Sequence, residues 1–274
     1  MITVNLHTHT FRCGHAVGLP VDYAREAAEH GFHVLGISDH MPFPDERPKI
    51  IRMNLSELDD YIREVREAQA AFPQLRILLA LECEYYPEYD SYYRMLLEEK
   101  KMDYLIGSVH TIDWQGQEMG FWPDFHMDRE ALMCYADTYV RMMESGFFLF
   151  GAHPDTFGPS IREWNADCEA CAGKICEAAV RLNMPLEINT SGWLKQELKA
   201  HDMGYPTAEA AISAGRSCPR PYPLDGFWRT ASRYPVKAVV NADAHDPAVL
   251  TRYLHLGYQM AETYGIEVVY PFGK

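Results

Sequence analysis

Seven short apolar runs, rich in β-branched and aromatic residues, recur along the chain and limit what it can fold into. They are ITVNL (2–6), FHVLGIS (32–38), LRILLALE (75–82), DYLIGSV (103–109), FFLFGA (147–152), PLEINT (185–190) and VKAVVNA (236–242). Each is strand length and ends in polar residues. Between them lie stretches with helical spacing: VDYAREAAEHG (21–31), LSELDDYIREVREAQAAF (55–72), DSYYRMLLEEK (90–100), DREALMCYADTYVRMMESG (128–146) and ADCEACAGKICEAAVRLN (166–183). Ser56 and Asp59 are spaced as a capping box, and Asp246 before Pro247 predicts the start of the last helix. Such alternation implies parallel strands joined by crossover helices, and strands this continuously apolar are covered on both faces. A barrel or a doubly wound sheet satisfies both demands. Two segments break the rhythm, the aromatic stretch 111–128 and the Pro-rich stretch 217–228, and irregular loops on one rim are candidate substrate walls.

With 274 residues, 47% of them hydrophobic, and no glycine-serine linker or charge block, the chain is expected to form a single domain over 1–274. Its formal charge of −14 argues against a long nucleic acid tracking the surface, because phosphate-backbone binding draws on clustered Lys and Arg. A small anion held through metal remains compatible with that charge. Seven irregularly spaced cysteines, an odd number, suggest reduced thiols and a cytoplasmic location, and neither a leader nor a membrane span is legible. Cys168 and Cys171 have zinc-like spacing but no second pair, so they are expected to be ordinary helix-face residues.

The ends of the runs carry the chemistry. After the first come His7, His9 and His15; after the others come Asp39 and His40, Glu82, His110, His153, and Asp243 with His245. In a parallel barrel or sheet those ends converge on one face, where active sites form. The period of two projects His7 and His9 the same way, so that one ion can bind both. Imidazole and carboxylate together suit zinc, iron or manganese, and the seven histidines with Glu82 and Asp243 suit two or three ions. A lone strand-end histidine is more often a hydrogen-bonding residue than a ligand, but seven of the 12 histidines fall at this one rim. His30, His33, His126, His201 and His255 lack such company and are expected to be unremarkable.

The segments HTHTFRCGHA, GISDHMPFP, LECEY, IGSVH, GAHPD, EINTSG and NADAHDP together resemble the polymerase and histidinol phosphatase (PHP) superfamily, and in detail its monofunctional histidinol-phosphatase branch. The resemblance runs from His7 to about Pro247. It implies a distorted seven-stranded (β/α) TIM-like barrel with a trinuclear metal site at the C-terminal ends of the strands. It also implies a ligand set. The first metal would take His7, His9, Glu82 and Asp243; Glu82 would bridge to a second held by His110 and His153; the third would take His15, His40 and His245. Every one of these positions carries the expected residue type.

One departure concerns the phosphate. After EINTSG the branch usually presents an arginine two residues on, whereas this chain has Leu194 there, Lys195 next, and an insertion before the Pro-rich stretch. Lys195, Arg216 or Arg220 is expected to substitute, with Arg162 a second candidate contact. The implied chemistry is hydrolysis of a phosphate monoester by a water that loses its proton between two ions, with Asp39 orienting a ligand or water or assisting proton transfer. Two to three Zn, Fe or Mn ions would make the pocket cationic within an acidic protein. L-histidinol phosphate is the expected substrate, because Trp114, Phe121, Trp122, Asp124 and Phe125 offer rings and a carboxylate to an imidazole and an amine. The alternatives are a related phosphoesterase acting on a nucleotide or phosphodiester, and a metal-binding or regulatory domain without turnover. An amidohydrolase is disfavoured, since no lysine is placed as a bridging ligand.

Overall fold

The computed structural model describes residues 4–45, 47 and 51–273, so Ile2 and Thr3 of the first apolar run lie outside the described residues. The strands β1 (Val4–Asn5), β2 (Val34–Ile37), β3 (Arg76–Glu84) and β4 (Tyr104–Ser108) pair in parallel in that order. Next comes an antiparallel hairpin of β5 (Thr111–Trp114) and β6 (Gln117–Gly120), inside the stretch expected to be an irregular loop. A second parallel sheet contains β7 (Leu186–Asn189), β8 (Lys237–Asn241) and a short β9 (Glu267–Val268) that the apolar runs do not announce.

The run 147–152 is the fifth stave, though its ladder is too short to be a strand. Its backbone serves both neighbours. Gly107 N–H donates to Phe150 O and Ala152 N–H to Gly107 O on one side, while Gly151 N–H donates to Pro185 O and Glu187 N–H to Gly151 O on the other. At the opposite seam Thr8 bridges Ala244, and His9 N–H donates to Ala244 O at 2.9 Å. The two sheets thereby curl into one distorted ring of seven staves.

Helices α1 (Pro20–Glu29), α2 (Leu58–Ala71), α3 (Asp90–Glu98), α4 (Arg129–Glu144), α5 (Ala166–Leu182) and α9 (Leu254–Tyr264) fill the expected crossover positions. The insertion holds α6 (Ser191–Asp202) and α7 (Ala208–Ser213), and the Pro-rich stretch runs into α8 (Asp225–Ala231). Two helix starts differ from expectation. The capping box is Asn54 with Glu57, two residues before the expected Ser56 and Asp59, and the Glu57 carboxylate reaches back to Asn54 N–H at 2.8 Å. Asp246 does cap Ala248 N–H, but it starts a single 3-10 turn (Pro247–Val249), and α9 begins at Leu254. Among the described residues no helix is long and apolar enough to cross a membrane.

Strand period explains the layers. On β3, Ile77, Leu79, Leu81 and Cys83 join the apolar layer beneath the helices, whereas Leu78 and Ala80 join a smaller cluster with Val4, Val34, Tyr104, Ile106 and Val239 inside the ring. Continuing each inner column toward the C-terminal end brings the chain from apolar to polar: Leu78, Ala80, then Glu82; Tyr104, Ile106, then Ser108; Val239, then Asn241 and Asp243. The lower half of the barrel is thus a plug and the upper half a site.

Side-chain amides zip the seam between β1 and β8. Asn241 Oδ1 accepts from Leu6 N–H at 2.7 Å and its Nδ2 donates to Glu187, while Asn5 Oδ1 accepts from Ala242 N–H at 2.7 Å. Asn241→Leu would leave the buried Leu6 N–H unpaired and take one of two donors from Glu187 Oε1, which His7 still meets. We expect it to lower unfolding free energy by about 2–4 kcal/mol, read as a fall in urea midpoint at unchanged slope.

Candidate metal centre

The strand-end residues meet where the inner columns end. His7 and His9 present their Nε2 atoms 3.1 Å apart, and His9 Nε2 lies 3.0 Å from Asp243 Oδ1. Glu82 sits between two groups. Its Oε1 is 2.9 Å from His153 Nε2 and 3.5 Å from His110 Nε2, whereas its Oε2 is 3.0 Å from His40 Nδ1, 3.3 Å from His7 Nε2 and 3.4 Å from His9 Nε2. Donors held 2.0–2.1 Å from a tetrahedral ion stand about 3.3 Å from one another, the spacing found here. His7, His9 and Asp243 form one convergent trio, Glu82, His110 and His153 a second, and His9, His40 and His245 a third. Two of these residues, His153 (φ 25°) and Asp243 (φ 47°), adopt left-handed backbone, which costs non-glycine residues about 1–3 kcal/mol and is typical of functional sites.

The protonation pattern tests whether a cation fits. His15 Nδ1 faces the Cys13 carbonyl at 3.1 Å and His245 Nδ1 faces the Asp243 carbonyl at 2.9 Å, so both Nδ1 atoms carry hydrogen. Their Nε2 atoms then present lone pairs, and these lie 2.9 Å apart. A hydrogen bond between them would need an imidazolium. Burial, reinforced by the charge of His9, pushes His245 down to about 3, and burial also lowers His15. Two neutral acceptors facing at that distance call for a cation between them. His9 Nδ1 and His153 Nδ1 are further buried nitrogens without a hydrogen-bond partner. The donor set therefore fits divalent metal.

In metal-free protein the carboxylates draw protons instead. Burial alone would lower the His7 pKa, but Glu187, Asp243 and Glu82 outweigh it and hold it well above the ordinary value. Burial likewise opposes protonation of His9, yet the carboxylates of Asp243, 3.0 Å from its Nε2, and Asp39, 3.6 Å from its Nδ1, lift it to about 9. His40 goes the other way, because burial dominates. Burial would raise Glu82 and Asp243, and the surrounding histidines reverse this, holding both well below the carboxylate range.

Carboxylates that the sequence reading passed over orient the ring. Glu187, fully buried, accepts from His7 Nδ1 at 2.8 Å, His153 N–H at 3.0 Å, and Asn189 and Asn241 at 2.9 Å each. Glu84 accepts from His110 Nδ1 and, at 3.2 Å, from His110 N–H. Asn189 donates to Asp243 at 3.1 Å. The available signal was strand parity, since Glu187 and Asn189 occupy the inner positions of β7. Cys13, within the quoted HTHTFRCGHA, also joins a trio with His15 and His245.

Other expected residues are distributed unevenly. Asp39 Oδ2 accepts from Thr10 N–H at 3.1 Å and from the Thr10 hydroxyl, and Oδ1 accepts from His40 N–H at 2.8 Å. This bonding suits an orienting role better than proton transfer. Lys195, though exposed at the rim, loses part of the water around its ammonium, but Tyr222, Asp243 and Glu82 lie close enough to outweigh this loss and keep its pKa above the ordinary value. Arg220 is engaged elsewhere, donating to Pro223 O and Asp225 at 2.8 Å each and covering the Trp193 ring. Arg216 is exposed beside Tyr205, and Arg162 is exposed, with no contact to the centre among the described residues. Arg52, not anticipated, lies close enough to His110 to oppose its protonation. The aromatic rim is largely structural: Phe121 is buried against Tyr135, and Trp114 and Phe125 pack on the core, while Trp122 and Asp124 are exposed. Cys168 and Cys171 are buried on α5 and gather no metal-like group among the described residues.

Fold and site together define a (β/α)-barrel protein with a histidine-rich metal centre at the strand ends. The chain belongs to the PHP-domain family, whose model matches residues 5–191. A curated protein of Deinococcus radiodurans named "Probable histidinol-phosphatase" is 30% identical over 248 residues, 88% of this chain and 85% of that protein. Among solved structures, the histidinol phosphate phosphatase of Lactococcus lactis, complexed with zinc, L-histidinol and phosphate, superposes with a TM-score of 0.70 at 17% identity, covering 97% of this chain and 95% of that one. The HisK protein of Listeria monocytogenes gives the same TM-score at 19% identity, covering 92% and 98%. These two structures bear on the fold.

Two outcomes follow for metal binding. Glu187→Gln should lower metal affinity about 10–100-fold by competitive chelation while the circular dichroism spectrum persists, because His7 loses its negatively charged acceptor and an NH2 replaces one of two oxygens that both accept hydrogen bonds. Cys168→Ser and Cys171→Ser should leave metal content unchanged; loss of metal in either would restore the zinc assignment for that pair.

Proposed function

We propose that the chain is a metal-dependent phosphoric monoester hydrolase whose substrate is L-histidinol phosphate. One observation carries the metal chemistry: the two oxygens of a single buried carboxylate, Glu82, face separate histidine groups. The choice of substrate is supported by the name of the Deinococcus relative, matched over most of both chains. The intact donor set disfavours a domain without turnover.

On this reading His7, His9, Glu82 and Asp243 hold one ion, Glu82, His110 and His153 a second, and His15, His40 and His245 a third, the ions being Zn, Fe or Mn. The bound ions would supply Lewis acidity toward a phosphoryl oxygen and toward the attacking water. The chain's own groups set the stage for that chemistry. Glu187 and Glu84 fix which nitrogen of His7 and His110 faces inward, and Asn189 fixes Asp243. Asp39 ties the Thr10 turn to the His40 backbone, which aligns the first two strand ends. Lys195 adds positive charge at the rim for an anionic substrate. A protein with net charge −14 can in this way present a cationic pocket.

Elemental analysis after reconstitution should find two to three equivalents of metal per chain, and at most one would remove the trinuclear assignment. Glu82→Gln should lose metal and nearly all turnover with its fold retained; turnover within about tenfold of the parent, under ~1.4 kcal/mol in barrier, would refute the bridging role. The substrate is tested by kcat/KM for L-histidinol phosphate against sugar phosphates, mononucleotides, an aryl monoester and diesters. Preference for histidinol phosphate is expected. Equal rates with the aryl ester would remove the substrate claim alone, and turnover of diesters only would replace the monoesterase reading.

A further inference from the structure

The Pro-rich segment 218–224 is fixed against the barrel mouth by several independent contacts. Gln196 Nε2 donates to Cys218 O at 2.7 Å, and the buried Asp155 carboxylate accepts from Leu224 N–H at 2.5 Å. Gly158 and Gly192 lie so close beneath the segment that a β-carbon at either would overlap the carbonyl oxygens of Pro221 and Tyr222 respectively. The side chain this arrangement delivers is Tyr222. Its ring, 6% exposed, stands 5.9 Å from that of His153, a member of the Glu82 trio. Its hydroxyl accepts from Lys195 Nζ, and the same ammonium lies 4.7 Å from the ring centroid.

A tyrosine hydroxyl that accepts from an ammonium keeps its own hydrogen free to donate, and the ammonium keeps two. Hydroxyl and ammonium therefore offer adjacent donors and one positive charge beside the metal centre. The chemistry that matches is two unesterified oxygens on one phosphorus, which a monoester dianion or inorganic phosphate provides with two negative charges. A monoester has three such oxygens to share between the clamp and the metal centre, whereas a diester has only two, with a single charge between them, and carries a second bulky substituent against the same wall.

We propose that Lys195 and Tyr222 form a single anion clamp that selects phosphate monoesters over diesters, and that Asp155 is its positioning residue. The clamp rests on the phosphatase reading above and names the specificity-determining residues of that site. Lys195 provides charge, Tyr222 aims it and adds a donor, and Asp155 holds the segment that carries Tyr222.

The test compares the metal-loaded parent with Lys195→Met, Tyr222→Phe, the double variant, Asp155→Leu and Asp155→Asn. Three readouts are taken: metal content, the dissociation constant of inorganic phosphate by calorimetry, and KM and kcat for an aryl phosphate monoester and its diester. Each single clamp variant should bind phosphate about tenfold or more weakly, the scale of one lost charge-assisted hydrogen bond, with KM for the monoester rising in parallel. Metal content should stay at the parental value, and diester kcat/KM should fall by less than monoester kcat/KM; an equal fall for both esters overturns the selectivity. The double variant should lose less than the product of the single losses, because the two groups act as a unit. Asp155→Leu should weaken phosphate binding as Tyr222→Phe does, whereas Asp155→Asn, which keeps an acceptor for Leu224 N–H, should match the parent. Phosphate affinity within twofold of the parent in both Lys195→Met and Tyr222→Phe overturns the clamp. Loss of metal in Tyr222→Phe overturns it too, since the hydroxyl would then be supporting the metal ligands rather than an anion. A parent that hydrolyses no monoester ends the phosphatase reading, and the calorimetric phosphate constants still decide the clamp.

Discussion

Buried negative charge is the constraint that organises this molecule. Asp39, Glu82, Glu187 and Asp243 all lie within the barrel mouth and are almost wholly removed from water. An uncompensated carboxylate in such a place costs several kcal/mol, so each must be met by donors or cations. The chain uses three kinds. Imidazoles surround Glu82 and Asp243; backbone N–H groups of Thr10, His40 and His153 meet Asp39 and Glu187; the amides of Asn189 and Asn241 take what remains. Asn241 has two duties, since its other end closes the seam at Leu6. Barrel closure and charge compensation therefore share bonds, and a site this charged is compatible with a stable barrel.

The same columns that deliver the site made most of it readable in the sequence. His7, His9, His40, Glu82, His110, His153 and Asp243 each follow an apolar run closely, so strand period and parallel topology suffice to gather them. Glu187 escaped notice because it lies inside its run, where a single acid reads as an irregularity; only its parity with Asn189 marks it as inward. Glu84 was masked by its more prominent neighbour Glu82. Local capping was misplaced for a geometric reason: Glu57 has the reach to return to Asn54 N–H, whereas the shorter Asp59 does not serve Ser56 in this way. Irregular composition also hid real structure. The stretch after Thr111 pairs as a hairpin, and the insertion is helical.

Contacts between segments far apart in sequence were beyond such reading. Nothing in SCPRPYPLDGFW says which of its residues faces the metal centre. That is settled by Asp155, 69 positions from Leu224, and by two glycines on different elements. The aromatic stretch shows the converse. Its rings look suited to substrate, yet Phe121 is spent on Tyr135 and the core. Aromatic content marks a loop that must be packed as readily as one that binds.

The departure at Leu194 and the position of Tyr222 have one explanation. Successive residues on a helix point about 100° apart, so a cation at 195 cannot occupy the direction that one at 194 would take. Left alone, a lysine there would be a flexible charge with several rotamers to lose on binding an anion. Here its ammonium lies over the Tyr222 ring and donates to its hydroxyl, while Asp243 and Glu82 add to its stabilisation. Part of the ordering cost is met by those contacts before any anion arrives. An arginine carries its own planar fork and needs less help; a lysine at the neighbouring position needs a partner from outside its helix. The Pro-rich segment, seated on Gly158 and Gly192 and tied to Asp155, is where that partner comes from.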